Sequence, residues 1–139
     1  MTAAWSIEAI KSPLEGVDDG AWTEFVTLMG NPKTVAREAL SGHLGLFLFH
    51  PLRLNRLGIT GDGRFLRSPA AQYRALVLSC TDYHPFLKPK VTEVQTLSGL
   101  LGVAHRAGLR GARKWIKSDD DKAKHPFTTA TYELVNGIF

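Results

Sequence analysis

Apolar residues recur at helical spacing along several stretches of this chain. Trp22, Phe25, Val26 and Met29 fall three and four apart, so they share one face of a helix that Asp18-Asp19-Gly20 opens and Gly30 closes. The acids lie at the positive end of that helix dipole. Asn31-Pro32 reads as an N-cap followed by proline at the first helical position, and predicts a second helix through Val35, Ala36, Ala39 and Leu40, crossed or antiparallel to the first. Ser68-Pro69 repeats the signature before Tyr73, Leu76, Val77 and Cys80. Val94, Leu97, Leu100, Leu101 and Ala104 form another apolar face ending near Gly108, and a short basic helix from Leu109 to Ser118 follows directly.

Other stretches break the helical period. Leu44 to Phe49 is almost continuously apolar and reads as a buried helical turn or an inner strand. Gly58 to Gly63 holds three glycines in six residues, a turn or hairpin signal that divides the chain into halves. The His84-Pro85 and Lys88-Pro89-Lys90 steps favour extended backbone, so the helix from Pro69 is expected to stop near Cys80. From Thr128 to Val135, Ala130, Tyr132 and Leu134 alternate with Thr129, Thr131 and Glu133, which predicts a half-buried strand. Its candidate partners are Trp5 to Ile10 and Gly45 to Phe49. The expected fold class is therefore mainly α with a small β component (α+β): a single compact helical domain over residues 1–139, with an acidic helical part over 1–50 and a basic part over 64–139.

Composition narrows the classes. The 139 residues are 44% hydrophobic and 22% charged, ordinary globular usage that sets aside disordered and low-complexity chains. No apolar run reaches the roughly 18 residues of a membrane span. Met1 to Ile10 lacks the basic start and long apolar core of a secretory signal. A single cysteine, Cys80, excludes an internal disulfide and any two-cysteine metal motif, which fits a reducing compartment, cytoplasmic or host-intracellular.

Charge changes the picture most. The formal net charge is +4, but it is uneven. Residues 1–36 carry two bases, Lys11 and Lys33, against five acids, a net −3 that leaves +7 on the rest of the chain. Arg53, Arg56, Arg64, Arg67 and Arg74 surround the glycine-rich turn, and Arg106, Arg110, Arg113, Lys114 and Lys117 follow Gly102. A basic face attracts nucleic-acid phosphates, an acidic partner protein or an anionic surface. On a continuous helix, Arg106, Arg110, Arg113 and Lys117 would make one stripe opposite Leu109, Ala112 and Ile116. Gly108 and Gly111 weigh against continuity, and Trp115 fits a core position better than a base-stacking one. Asp119-Asp120-Asp121 must point away if the partner is nucleic acid.

A helix, a glycine and an arginine-rich helix also outline a helix-turn-helix. With Gly102 as the turn, the later apolar slots fall on Gly108 and Gly111; with Gly108 as the turn, they fall on Lys114 and Lys117. Neither register packs. A winged-helix variant, with Lys122 to Leu134 as the wing, is the form of this reading that tolerates the misfit.

Catalytic and metal readings are weaker. None of His43, His50, His84, His105 and His125 has a ligand spacing, and no cofactor is implied. Cys80 and His84 would be helical neighbours only if the helix ran past Asp82. Ser41-Gly42-His43 lacks an orienting third group, and Gly61-Asp62-Gly63 is a fragment of a calcium or dinucleotide loop. The leading expectation is a non-enzymatic nucleic-acid-binding protein using Arg106, Arg110, Arg113, Lys114 and Lys117, assisted by Arg64, Arg67 and Arg74. The second is a protein-interaction or self-assembly module of viral or mobile-element type, burying Leu46, Phe47, Phe49, Ile138 and Phe139 against a copy of itself or another protein. The third is a small basic ribonuclease using His105 or His125 with Arg106.

Overall fold

The computed structural model of the protein describes residues 10–34, 38–39, 42–117 and 126–139. It is mainly helical: α1 (Asp19–Met29), a 3-10 turn (Pro32–Thr34), α2 (Pro51–Arg56), α3 (Gly63–Leu66), α4 (Pro69–Leu87), a second 3-10 turn (Lys88–Lys90), α5 (Leu97–Lys117) and α6 (Pro126–Val135). The chain forms two compact units. Among the described residues, one takes those between Gly30 and Ser79, and the other those between Ile10 and Met29 and between Cys80 and Phe139.

The first unit is built on turns. Asn31 caps as its sequence implies, its Oδ1 accepting from the Lys33 amide at 3.1 Å, but the product is a 3-10 turn. Glu38 then bridges Leu44 in antiparallel fashion, and the Ala39 amide donates to the His43 carbonyl at 2.7 Å. The predicted second helix therefore does not run through Ala39; Val35, Ala36 and Leu40 lie outside the described residues. Leu44 to Phe49 is neither helix nor strand. The amides and carbonyls of Leu44 and Phe49 bond reciprocally, at 2.8 and 2.9 Å, and close a tight buried turn in which Leu48 takes φ 54°.

Downstream, the capping signal at Ser68 acts as written, while α3 is a short helix that the turn reading of Gly58 to Gly63 does not include. Asp62 caps α3, accepting from the Arg64 and Phe65 amides at 3.0 and 3.2 Å, and the Ser68 hydroxyl accepts from Ala71 at the start of α4. The glycine-rich segment 58–63 is a turn inside this unit. Leu46, Phe47, Phe49, Leu54, Phe65 and Leu76 are buried around Gln72.

In the second unit α1 buries Trp22, Phe25 and Val26. Asp18 accepts from the Ala21 amide at 2.8 Å, and Phe139 meets Phe25 edge-on with ring centroids 5.3 Å apart. The apolar stripe of α5 faces α6, and glycines set how closely the two approach. A Cβ on Gly102 would lie 2.7 Å from Val135 Cγ2, and one on Gly99 would meet Asn136 and Tyr132. Ser98 ties down the end of the chain: its hydroxyl is 2.6 Å from the Val135 carbonyl and 3.2 Å from the amides of Ile138 and Phe139. Asn136 reaches back to the Thr96 amide and to the Val94 carbonyl.

Two expectations about this unit are corrected. Residues 128–135 are helical, so the predicted strand, and with it the wing of a winged helix, is replaced by α6. Thr128 and Val135 are buried seven residues apart, while Phe127 and Leu134, adjacent to them, are 74% and 51% exposed. Burial on α5 follows the helical period here and overrides the β-prone composition. Among the described residues the only β features are the bridges at Glu38, Leu44 and Phe49.

The second correction is α4, which runs through Pro85 to Leu87. An interior proline costs about 3 kcal/mol through its lost amide and its clash with the preceding turn. Buried Leu76, Cys80, Tyr83 and Leu87 continue the helical period past Asp82. Burying Tyr83 and Leu87 contributes roughly 1.5–3 kcal/mol each, enough to offset the proline.

Candidate nucleic-acid interface

The basic segment of the second unit is divided by its own backbone. Gly108 sits at φ 74°, ψ 172° inside α5, a conformation that side chains disfavour, so two helical pieces meet at an angle there. Gly111 completes the break. A Cβ on it would lie 2.6 Å from the Ala107 Cβ, a crowding that arises only because the chain turns at Gly108. The continuous stripe from Arg106 to Lys117 is thus corrected to a shorter one.

Beyond the break, Arg110, Arg113, Lys114 and Lys117 are all exposed. At 3.6 residues per turn they fall within an arc of about 100° and extend about 10 Å along the axis. Ala112 and Trp115 occupy the opposite face and are buried. Trp115 packs on Tyr132 with ring centroids 4.5 Å apart and directs its indole N–H toward Thr129 Oγ1 at 3.4 Å. The core reading of Trp115 holds, and packing against α6 is what turns the cations outward. Its partner Tyr132 was invisible from sequence because residues 128–135 alternate like a strand. Among the described residues no carboxylate forms an ion pair with the exposed cations. Asp119, Asp120 and Asp121 lie outside the described residues, as does His125.

Arg106 precedes the break and is different. It is half-buried, its Nε has no hydrogen-bond partner among the described residues, and burial pushes its pKa below the usual guanidinium value. Neither proline nor glycine beside it signals this; only the fold brings it inward.

Arg64, Arg67 and Arg74 are exposed on the first unit, whereas the Arg53 guanidinium turns back onto Ser79, with Nε 3.0 Å from its hydroxyl. The two basic groups thus belong to different units. Leu46, Phe47 and Phe49, expected at an interface, are buried within the first unit and present no apolar surface. Ile138 and Phe139 are half-buried and line, with Val17, Val91 and Leu97, a hollow of about 550 Å³ in the second unit.

The titratable side chains assemble little chemistry. Cys80 is buried and His84 follows it by one turn on α4, with His84 Nε2 buried and unpartnered among the described residues. His50 Nδ1 accepts from the Leu52 amide as the cap of α2, and its ring lies 5.6 Å from that of His43. Among the described residues no three His, Cys, Asp or Glu side chains are grouped to hold a metal ion. No described helix is long and apolar enough to cross a membrane. Comparison with protein-family models, with curated proteins and with solved structures finds no match to this chain.

Proposed function

We propose that the protein binds nucleic acid, through the outward face of the second part of α5. The observation behind this reading is the set of Arg110, Arg113, Lys114 and Lys117, exposed together on one face while Ala112 and Trp115 of the same helical piece are buried. Holding like charges on one short face costs self-repulsion, which a phosphate backbone relieves by exchanging its condensed counterions for the side chains. The exposed Arg64, Arg67 and Arg74 of the first unit add to the overall attraction.

Fluorescence anisotropy of the full chain with labelled DNA and RNA tests the reading. Engaging about three or four phosphates weakens affinity roughly hundredfold between 50 and 200 mM salt. Arg110→Ala with Arg113→Ala is expected to reduce binding while the circular dichroism spectrum stays unchanged. Affinity indifferent to salt, or no binding to either polymer, refutes it.

A further inference from the structure

We infer that the partner of this face is a double-stranded nucleic acid, held by its phosphates without reading of the bases; the inference rests on the nucleic-acid reading above. Single strands are gripped by aromatic platforms on which bases stack, flanked by cations that track the backbone. The helical piece Leu109–Lys117 has one aromatic residue, Trp115, and it is turned away from the cations, buried, and packed on Tyr132 at 4.5 Å with its N–H directed to Thr129. It is not free to stack on a base.

The remaining composition of the piece narrows the recognition further. Leu-Arg-Gly-Ala-Arg-Lys-Trp-Ile-Lys contains no Asn, Gln, Ser, Thr or Asp, the neutral and acidic side chains that pair with adenine and cytosine edges. Its exposed cations follow one another within about 10 Å along a straight axis. That spacing suits a regular array of phosphates on a duplex, where charge density is highest, more than an unpaired strand whose bases must also be accommodated. Arginine can pair with guanine, but here the arginines share one face with lysines that act as point charges toward phosphate.

The test uses the full chain with labelled DNA and RNA duplexes of two unrelated sequences and with their separated strands. Duplex affinity about tenfold above that of the single strands, alike for both duplex sequences, and a log–log salt slope near −0.9 per phosphate support the inference. A DNA duplex preferred over RNA, or the reverse, identifies the source of the backbone and upholds it. Equal or tighter binding to single strands overturns it, as does a strong preference between the two duplex sequences; either result leaves the nucleic-acid reading standing if Arg110→Ala/Arg113→Ala still weakens binding. Absence of binding to every probe overturns both. Lys114→Gln/Lys117→Gln provides a second variant should the arginine pair impair folding.

Discussion

The backbone amide of Leu46 donates to the Gln72 Oε1 at 2.6 Å, joining the buried turn of the first unit to α4 across 26 residues of sequence. Gln72 is fully buried, and its Nε2 donates in turn to the carbonyls of Phe65 and Leu66 at 3.1 and 3.2 Å. One amide side chain thereby satisfies backbone groups from the Leu44–Phe49 turn and from α3. Gly45, at φ 76°, is required beside it, since a Cβ there would lie 2.7 Å from the same Oε1.

Replacing Gln72 by Leu preserves much of the volume and removes every one of these bonds. A buried backbone group left unpaired costs about 1–3 kcal/mol. Gln72→Leu should therefore lower the stability of the protein by at least about 2 kcal/mol in urea unfolding, with the Leu46 amide losing protection in hydrogen exchange. A loss below about 0.5 kcal/mol would show that the turn does not depend on Gln72.

Local punctuation was legible where side chains act on their own neighbours. Asn31 and Ser68 cap where their positions imply, and the break expected from Gly108 occurs there. Where tertiary burial competes with local preference, reading the chain fails. Pro85 sits inside α4 because Tyr83 and Leu87 are buried on either side of it, and residues 128–135 form a helix because Thr131 and Val135 pack against α5 at Gly102. The same division holds at the candidate site. The cations are plain in the sequence, but the inward turn of Arg106 depends on how the first part of α5 packs, and no local pattern encodes it.

The break in α5 rests on two glycines with different roles. Gly108→Ala forces a side chain into a backbone region that is essentially glycine-only, which costs roughly 1–3 kcal/mol. Gly111→Ala instead drives a Cβ against the Ala107 Cβ. Either substitution should favour straightening or local fraying. Each is expected to lower the thermal midpoint by several degrees, and the paired Ala107→Gly/Gly111→Ala variant should recover most of the Gly111→Ala loss. Lack of recovery would mean that the two positions are not in contact.

Ser98 offers a third test. Its hydroxyl lies within hydrogen-bond distance of the Val135 and Phe139 carbonyls and of the Ile138 and Phe139 amides. Ser98→Ala removes that junction at a buried position, with an expected loss of about 1–3 kcal/mol. Faster hydrogen exchange at Ile138 and Phe139, with the first unit unaffected, would place the effect at the end of the chain.

Arg106 should behave in the opposite sense to the exposed cations. Burial lowers its pKa, so folding disfavours its charged form; the penalty is full at every pH below the folded pKa and is relieved only as pH rises through it. A guanidinium stays charged across the ordinary working range, so the cost is constant there. Arg106→Met keeps the aliphatic stem and removes the unpaired Nε. Its unfolding midpoint is expected to equal or exceed that of the parent between about pH 5 and 9. Its affinity for nucleic acid should change less than that of Arg110→Ala/Arg113→Ala. If Arg106→Met destabilises the protein markedly, or weakens binding as much as the exposed pair does, then Arg106 serves the surface despite its burial, and the site extends back across Gly108.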